Sequence, residues 1–289
     1  MPGAAGSGGM DAPVDPGSEP APPPANEPQP QAPPVNPPAN ETPPANPPPT
    51  NEPPANPPAV GTGSGCAPGA AFFCEDFEAS AVGTAQANDS WRPEGNVSVD
   101  DEQGSRALHV QAQAGQNARI LVQNFAPPNN SFFGRINMFV EQFPTAPDNA
   151  HFVLVEVTGD SGERVRPIGG QFKQGVADVS IWGVGADGGA TGDWTDWQPT
   201  APTVSGQWVC MEWQMNASDN SVDVFIDGVQ KPELHASTNQ HGGNQTAFNF
   251  PAFNNISLGW VVFQGGAQPS QYDVWLDDIV LSTERVGCN

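Results

Sequence analysis

Residues 272–288 read YDVWLDDIVLSTERVGC. Polar and apolar residues alternate between Asp273 and Leu281, and β-branched and aromatic residues are frequent, which is the pattern of a strand. Two carboxylates, Asp277 and Asp278, sit inside it. The two-residue side-chain period of a strand puts them on opposite faces. A carboxylate that points into an apolar layer is unfavourable unless something pairs with it. A buried cation is the simplest partner. The stretch ends in Cys288, so this closing strand is expected to be stapled as well.

Working back from it, short alternating runs recur. They include Phe72–Phe77, ALHVQAQ (107–113), Arg119–Phe125, SFFGRINMFVE (131–141), HFVLVEV (151–157), Val179–Trp182, WVCMEWQM (208–215) and Ile256–Phe263. In the run at 131–141, Phe133, Arg135, Asn137 and Phe139 share one side, and Ile136, Met138 and Val140 the other. In WVCMEWQM, Met211, Trp213 and Met215 form the core face, with Glu212 and Gln214 opposite. Val222–Ile226 and Val229 flank Asp227-Gly228, a hairpin turn. Residues 183–200 read as a Gly- and Trp-rich loop, and 233–250 as a polar, mobile segment. Many short strands between turn residues, with little helix, predict an all-β antiparallel sandwich of the jelly-roll, concanavalin-like kind.

The sandwich does not begin at residue 1. Residues 1–65 hold 22 of the 34 prolines, no Lys or Arg, and PPAN repeats at 37–40, 43–46 and 53–56. Such a segment buries too little apolar surface to offset its conformational entropy, so a disordered Pro/Ala/Asn-rich linker is expected. Residues 66–289 form one domain of ordinary size. They carry all eight Trp, all fifteen Phe and all four Cys. The formal charge of −23 argues against nucleic acid as a partner and against long-range capture of polyanions, though a local basic pocket is compatible with one uronic acid. The four cysteines fit two disulfides. Cys66 and Cys74 bracket the first turn, and Cys210 and Cys288 are placed to staple a central strand to the C-terminus. No CxxC spacing or His cluster suggests zinc. Disulfides point to a secreted or cell-surface protein, although no signal-peptide pattern and no membrane span are visible.

Three stretches carry a family resemblance: RPIGGQ (166–171), WVCMEWQMNASDNSVDVFIDG (208–228), and ISLGW (256–260) followed by VWLDDIVLSTERVGC (274–288). Together with DFE (76–78), they make residues 72–288 resemble the fungal cellulose-induced protein family, a secreted polysaccharide-lyase-like jelly roll. The resemblance implies a concave sheet that forms a groove for a sugar chain. It implies a structural Ca2+ on the other side, with Glu78 and Asp277 as acidic ligands and oxygens near Gln103 and Arg106 completing it. It also supports a Cys210–Cys288 disulfide.

For activity, the resemblance implies a lyase acting on uronic-acid polymers by β-elimination. Such an enzyme needs a group that neutralises the carboxylate, a base and an acid. Arg166 or Gln171 would neutralise, His151 would be the base, and Arg164 falls where the family has a histidine. The groove tyrosine of the family corresponds to Phe263, which leaves the mechanism incomplete unless Tyr272 or a histidine substitutes. Trp182, Trp194, Trp197, Trp260, Phe263, Glu212 and Gln214 are candidates for lining a polysaccharide site. A non-catalytic carbohydrate-binding or adhesion module is the alternative. Hydrolysis would need two carboxylates facing across the groove, and the ExDxE pattern of laminarinase-type enzymes is absent.

Overall fold

The computed structural model describes residues 66, 70–160, 162–175, 179–187, 194–243 and 246–288. The expected linker, 1–65, lies outside them, as do the side chains of Trp194 and Trp197. The regular structure of the described chain is nearly all strand: β1 (Ala71–Glu75), β2 (Gly83–Thr84), β3 (Trp91–Glu94), β4 (Asn96–Asp100), β5 (Ala107–Gln113), β6 (Asn117–Val122), β7 (Phe132–Val140), β8 (His151–Gly159), β9 (Arg164–Phe172), β10 (Ser180–Asp187), β11 (Trp194–Pro202), β12 (Trp208–Asn216), β13 (Ser221–Ile226), β14 (Val229–Gln230), β15 (Phe253–Val262) and β16 (Gln271–Ser282). Two antiparallel sheets result. One has nine strands in the order β14-β13-β12-β7-β16-β5-β4-β2, with β1 also paired to β16. The other has seven, β11-β10-β9-β8-β15-β6-β3. The fold is an antiparallel β-sandwich.

Alternation decides what each strand buries. Ile136, Met138 and Val140 of β7, and Met211, Trp213 and Met215 of β12, enter the core. From the seven-stranded sheet come Phe152, Trp182 and Trp260; Phe152 stacks on Trp260 at 5.2 Å between centroids. Burying side chains of this size stabilises the fold by roughly 1.5–3 kcal/mol each. Gly134 of β7 is required by this packing, since a Cβ there would lie 2.0 Å from the Trp213 ring. Gly134→Ala is expected to destabilise by about 1–3 kcal/mol, read as a lower urea midpoint. An unchanged midpoint would mean that Trp213 moves aside freely.

The structure corrects the sequence in several places. Asp277 and Asp278 do not straddle β16. A bulge opens between Asp277 and Val280 opposite β7, with Asp278 at φ 50°. The extra residue lets Leu276 and Ile279 both face the core, so both aspartates fall outside it. Residues 183–200 contain the end of β10 and most of β11, paired through Gly183↔Trp197 and Gly185↔Trp194. The described residues of 233–250 are pinned rather than loose: Leu234, Ala236 and Phe248 are buried, and Val222 and Ala236 exchange backbone hydrogen bonds. The Asp227-Gly228 turn has positive φ at both residues, 50° and 79°, which matches the twist of the hairpin.

Candidate functional site

The outer face of the seven-stranded sheet gathers the polar residues that alternation turns away from the core. Across it runs a ladder of opposite charges. Arg119 Nε on β6 donates to Glu94 Oε2 of β3 at 2.9 Å, and Arg119 Nη1 lies 3.8 Å from Glu156 Oε1 of β8. Between them β15 places Gly259 opposite Arg119, so no side chain blocks the reach. Arg166 on β9 then donates from Nε to Glu156 Oε2 and from Nη2 to Asp187 Oδ2 of β10, both at 3.0 Å. Arg164 Nη1 ends the ladder 3.5 Å from the same Asp187 oxygen. The Arg166 side chain is only 3 % exposed, whereas Arg164 and Asp187 are near half exposed. Arg166 is therefore bracketed by two carboxylates, which compete with a substrate carboxylate for the neutralising role expected of it. No sequence motif marks Glu94, Arg119, Glu156 or Asp187. Only the pairing of distant strands brings them into one row.

His151 and Gln171 are directly opposed across β8 and β9, as a shared site requires. Gln171 is buried. The orientation of His151 bears on its chemistry. Its backbone N–H donates to Gln264 Oε1 at 2.7 Å, which turns the Gln264 amide so that Nε2 faces His151 Nδ1 at 3.0 Å. The amide nitrogen is a donor, so Nδ1 is the acceptor and the neutral ring carries its hydrogen on Nε2. That hydrogen suits hydrogen-bond donation, not proton abstraction. Phe263, in the adjoining stretch, binds the His151 carbonyl through its N–H. Phe263 is 44 % exposed, and the Arg166 guanidinium carbon lies 5.1 Å from its ring centroid. Beside Phe263 opens a cleft of about 460 Å³, also lined by Gly115, Gln116, Asn117, Val261 and Val262.

Several expected site residues lie elsewhere. Trp182 and Trp260 are core residues; Trp260 is fully buried, and Trp182, 4 % exposed, reaches only the wall of a cavity of about 240 Å³ shared with Val204, Ile226 and Lys231. Tyr272 packs 5.4 Å from Trp260, 1 % exposed, and burial pushes its hydroxyl well above the ordinary value. It does not stand in for a groove tyrosine. Glu212 and Gln214 are on β12, in the other sheet. There the C-terminal tail folds over Glu212, whose oxygens accept from Arg285 Nη2 at 2.7 Å and from the Gly287 N–H at 2.8 Å. Cys288 is disulfide-bonded to Cys210 on the same strand, and Cys66 to Cys74 at the domain's start.

The carboxylates implied for calcium meet around the turn that carries Gln103. Ser105 Oγ donates to Asp277 Oδ2 at 3.2 Å, and the Arg106 N–H to Glu78 Oε1 at 3.3 Å. The Arg106 guanidinium instead binds the carbonyls of Glu78 and Ser80. Asp277 is pushed up to about 7, first by burial and then by the neighbouring charges of Asp278 and Glu78, against which bonds from the Asp278 N–H and Ser105 act. Among the described residues, no three His, Cys, Asp or Glu side chains converge to hold a metal. A cation here would draw its acidic ligands from Glu78 and Asp277, two of the six to eight oxygen donors that calcium takes. On the same sheet, His109 is held between Asp100 at 2.7 Å and Asp273 at 2.9 Å and stacks on Trp275. Burial alone would raise Asp273, but bonds from Gln111, Gln271 and His109 outweigh it and hold the carboxyl below its ordinary range.

No family model matches the chain, and no curated protein matches it in sequence. Solved structures do resemble it. A cellulose-induced protein, Cip1, is 18 % identical over 75 % of this chain and 100 % of its own, with a TM-score of 0.52. A glycosyl hydrolase family 16 protein from Mycobacterium smegmatis is 12 % identical over 73 % and 99 %, at 0.48. Alginate lyase vAL-1 from Chlorella virus is 12 % identical over 68 % and 93 %, at 0.45. At these identities the similarity is one of fold, and the chain shares its β-sandwich with Cip1.

Proposed function

We propose that the protein engages a polysaccharide on the outer face of the seven-stranded sheet and acts there as a binding module rather than as a lyase. The observation that carries this is the exposed Phe263 ring at the mouth of the Gln116–Asn117 cleft, beside a row of planar polar side chains. Sugars offer apolar ring faces rimmed with hydroxyls, and an aromatic platform flanked by amides and guanidinium groups meets both. β-Elimination is disfavoured by three features. Arg166 already binds Glu156 and Asp187, His151 presents an N–H at Nε2, and Tyr272 is in the core. Disulfides and a cell-wall ligand together fit a secreted or surface-held protein. A calcium held by Glu78, Asp277 and the 103–106 turn would be structural, fixing β16 against the start of the domain.

Affinity electrophoresis of the full chain in gels containing cell-wall glycans tests the binding. Phe263→Ala is expected to weaken retardation about tenfold, the loss of one stacking platform. The position is exposed, and circular dichroism checks that the variant folds. Equal retardation of the variant, or release of an unsaturated product absorbing in the ultraviolet, would sink this proposal.

A further inference from the structure

Resting on that glycan-binding proposal, we infer that the ion-pair ladder of the seven-stranded sheet selects an uncharged polysaccharide, and that its carboxylates are what exclude polyuronates. The lateral order is Glu94, Arg119, Glu156, Arg166, Asp187, Arg164, with signs alternating at every step. Each of these arginines is within 4 Å of a carboxylate oxygen, and the row carries three charges of each sign. A uronate arriving at Arg166 would have to displace Glu156 or Asp187 from a side chain that is 3 % exposed. Once displaced, Glu156, 12 % exposed, would keep the 3.8 Å contact with Arg119, and Asp187 the 3.5 Å contact with Arg164, so a low-exposure ion pair is weakened in either case.

Two further features act in the same direction. The whole chain carries −23, so the long-range field repels a polyanion before contact. The remaining arginine on this face, Arg92, stands exposed on the edge strand β3, where water screens it. A neutral chain meets none of these penalties. Its hydroxyls can donate to the carboxylate oxygens and accept from the guanidinium N–H groups without breaking the ladder. Compensated charge of this kind gives specificity through what it rejects as much as through what it binds.

The ladder offers its own test. Asp187→Asn removes one charge at a half-exposed position and leaves Arg166 bonded to Glu156. Glu156→Gln removes the central charge, and Arg119 and Arg166 keep Glu94 and Asp187. Each variant leaves the ladder itself with one net positive charge. Full-length protein and both variants are run in native gels containing mixed-linkage β-glucan, mannan, glucuronan, alginate or pectate, at low and at 0.15 M salt. Native protein should be retarded by a neutral glycan and by none of the polyuronates. Both variants should gain retardation on a polyuronate, about tenfold tighter than native, and lose most of that gain at the higher salt. If Glu156→Gln misfolds, Asp187→Asn alone decides. Native protein held by a polyuronate as tightly as by a neutral glycan overturns the selectivity while leaving the glycan site standing. Neutral binding with no gain in a folded variant overturns the role of the carboxylates. Retardation by no glycan of either class removes the site and the inference together.

Discussion

Cutting the Cys210–Cys288 bond by replacing both residues with serine is expected to lower unfolding stability by about 4–5 kcal/mol, the largest loss for any change away from the core. The two cysteines are 78 residues apart, so the bond closes a long loop and removes much of the freedom of the unfolded chain. The folded tail is also positioned by contacts that the bond helps hold. Arg285 lies 3.9 Å over the Phe225 ring and donates to Glu212 and to the Gly228 carbonyl. Arg135 reaches the Gly287 carbonyl from β7. Glu212→Ala should cost less, about 2 kcal/mol, because Arg285 is 38 % exposed and returns to water while the Gly287 N–H loses its acceptor. Urea unfolding of the double serine variant and of Glu212→Ala, without reductant, measures both. A double variant with its midpoint within experimental error of native would mean that the tail does not contribute to the fold.

The second large effect belongs to Asp277. Burial, with the charges of Asp278 and Glu78, pushes its carboxyl up to about 7 in the folded protein, against an ordinary value of 3.8. Between those values the folded protein holds more protons than the unfolded chain, so stability falls as pH rises from about 4 to 7 and stays low above that. The full difference is on the order of 4 kcal/mol. The calcium proposed above would bind the ionised form, so adding it is expected to restore stability at pH 8 and do little at pH 4. Asp277→Asn should remove both the pH slope and the response to calcium, and in chelator at pH 8 it should be at least as stable as native. Melting temperatures at pH 5 and pH 8, in chelator and in millimolar calcium, measure all of this. A midpoint at pH 8 unmoved by calcium rules out the metal. A chelated protein no less stable at pH 8 than at pH 5 contradicts the burial of an ionised Asp277.

Much of the sandwich was legible because alternation is a local property. β7 and β12 bury the sides that their sequences mark: Ile136, Met138 and Val140, and Met211, Trp213 and Met215. The hairpin at Asp227-Gly228 follows from turn chemistry alone. β2, β3 and β4 gave little signal, since β2 is two residues long and β3 contains Pro93. Trp182 and Trp260 show the limit of reading aromatic residues as sugar platforms. A tryptophan buries a large apolar area wherever a core will take it, and here the core does.

The strand YDVWLDDIVLSTERVGC shows where the division falls. Its sequence alone determined that it is a strand, that it carries a carboxylate pair foreign to an apolar layer, and that it ends in a cysteine able to staple the fold. Only the tertiary structure decided that a bulge carries both aspartates out of the core, that Asp277 meets Glu78 and Ser105 from the far end of the domain, and that the tail closes over Glu212. The same holds on the opposite sheet, where Arg166 was visible in RPIGGQ but Glu156 and Asp187 were not. The reason is physical. Periodicity fixes which way a side chain points, whereas a charge acquires its meaning from partners that arrive on other strands, and their arrival is set by sheet order and register.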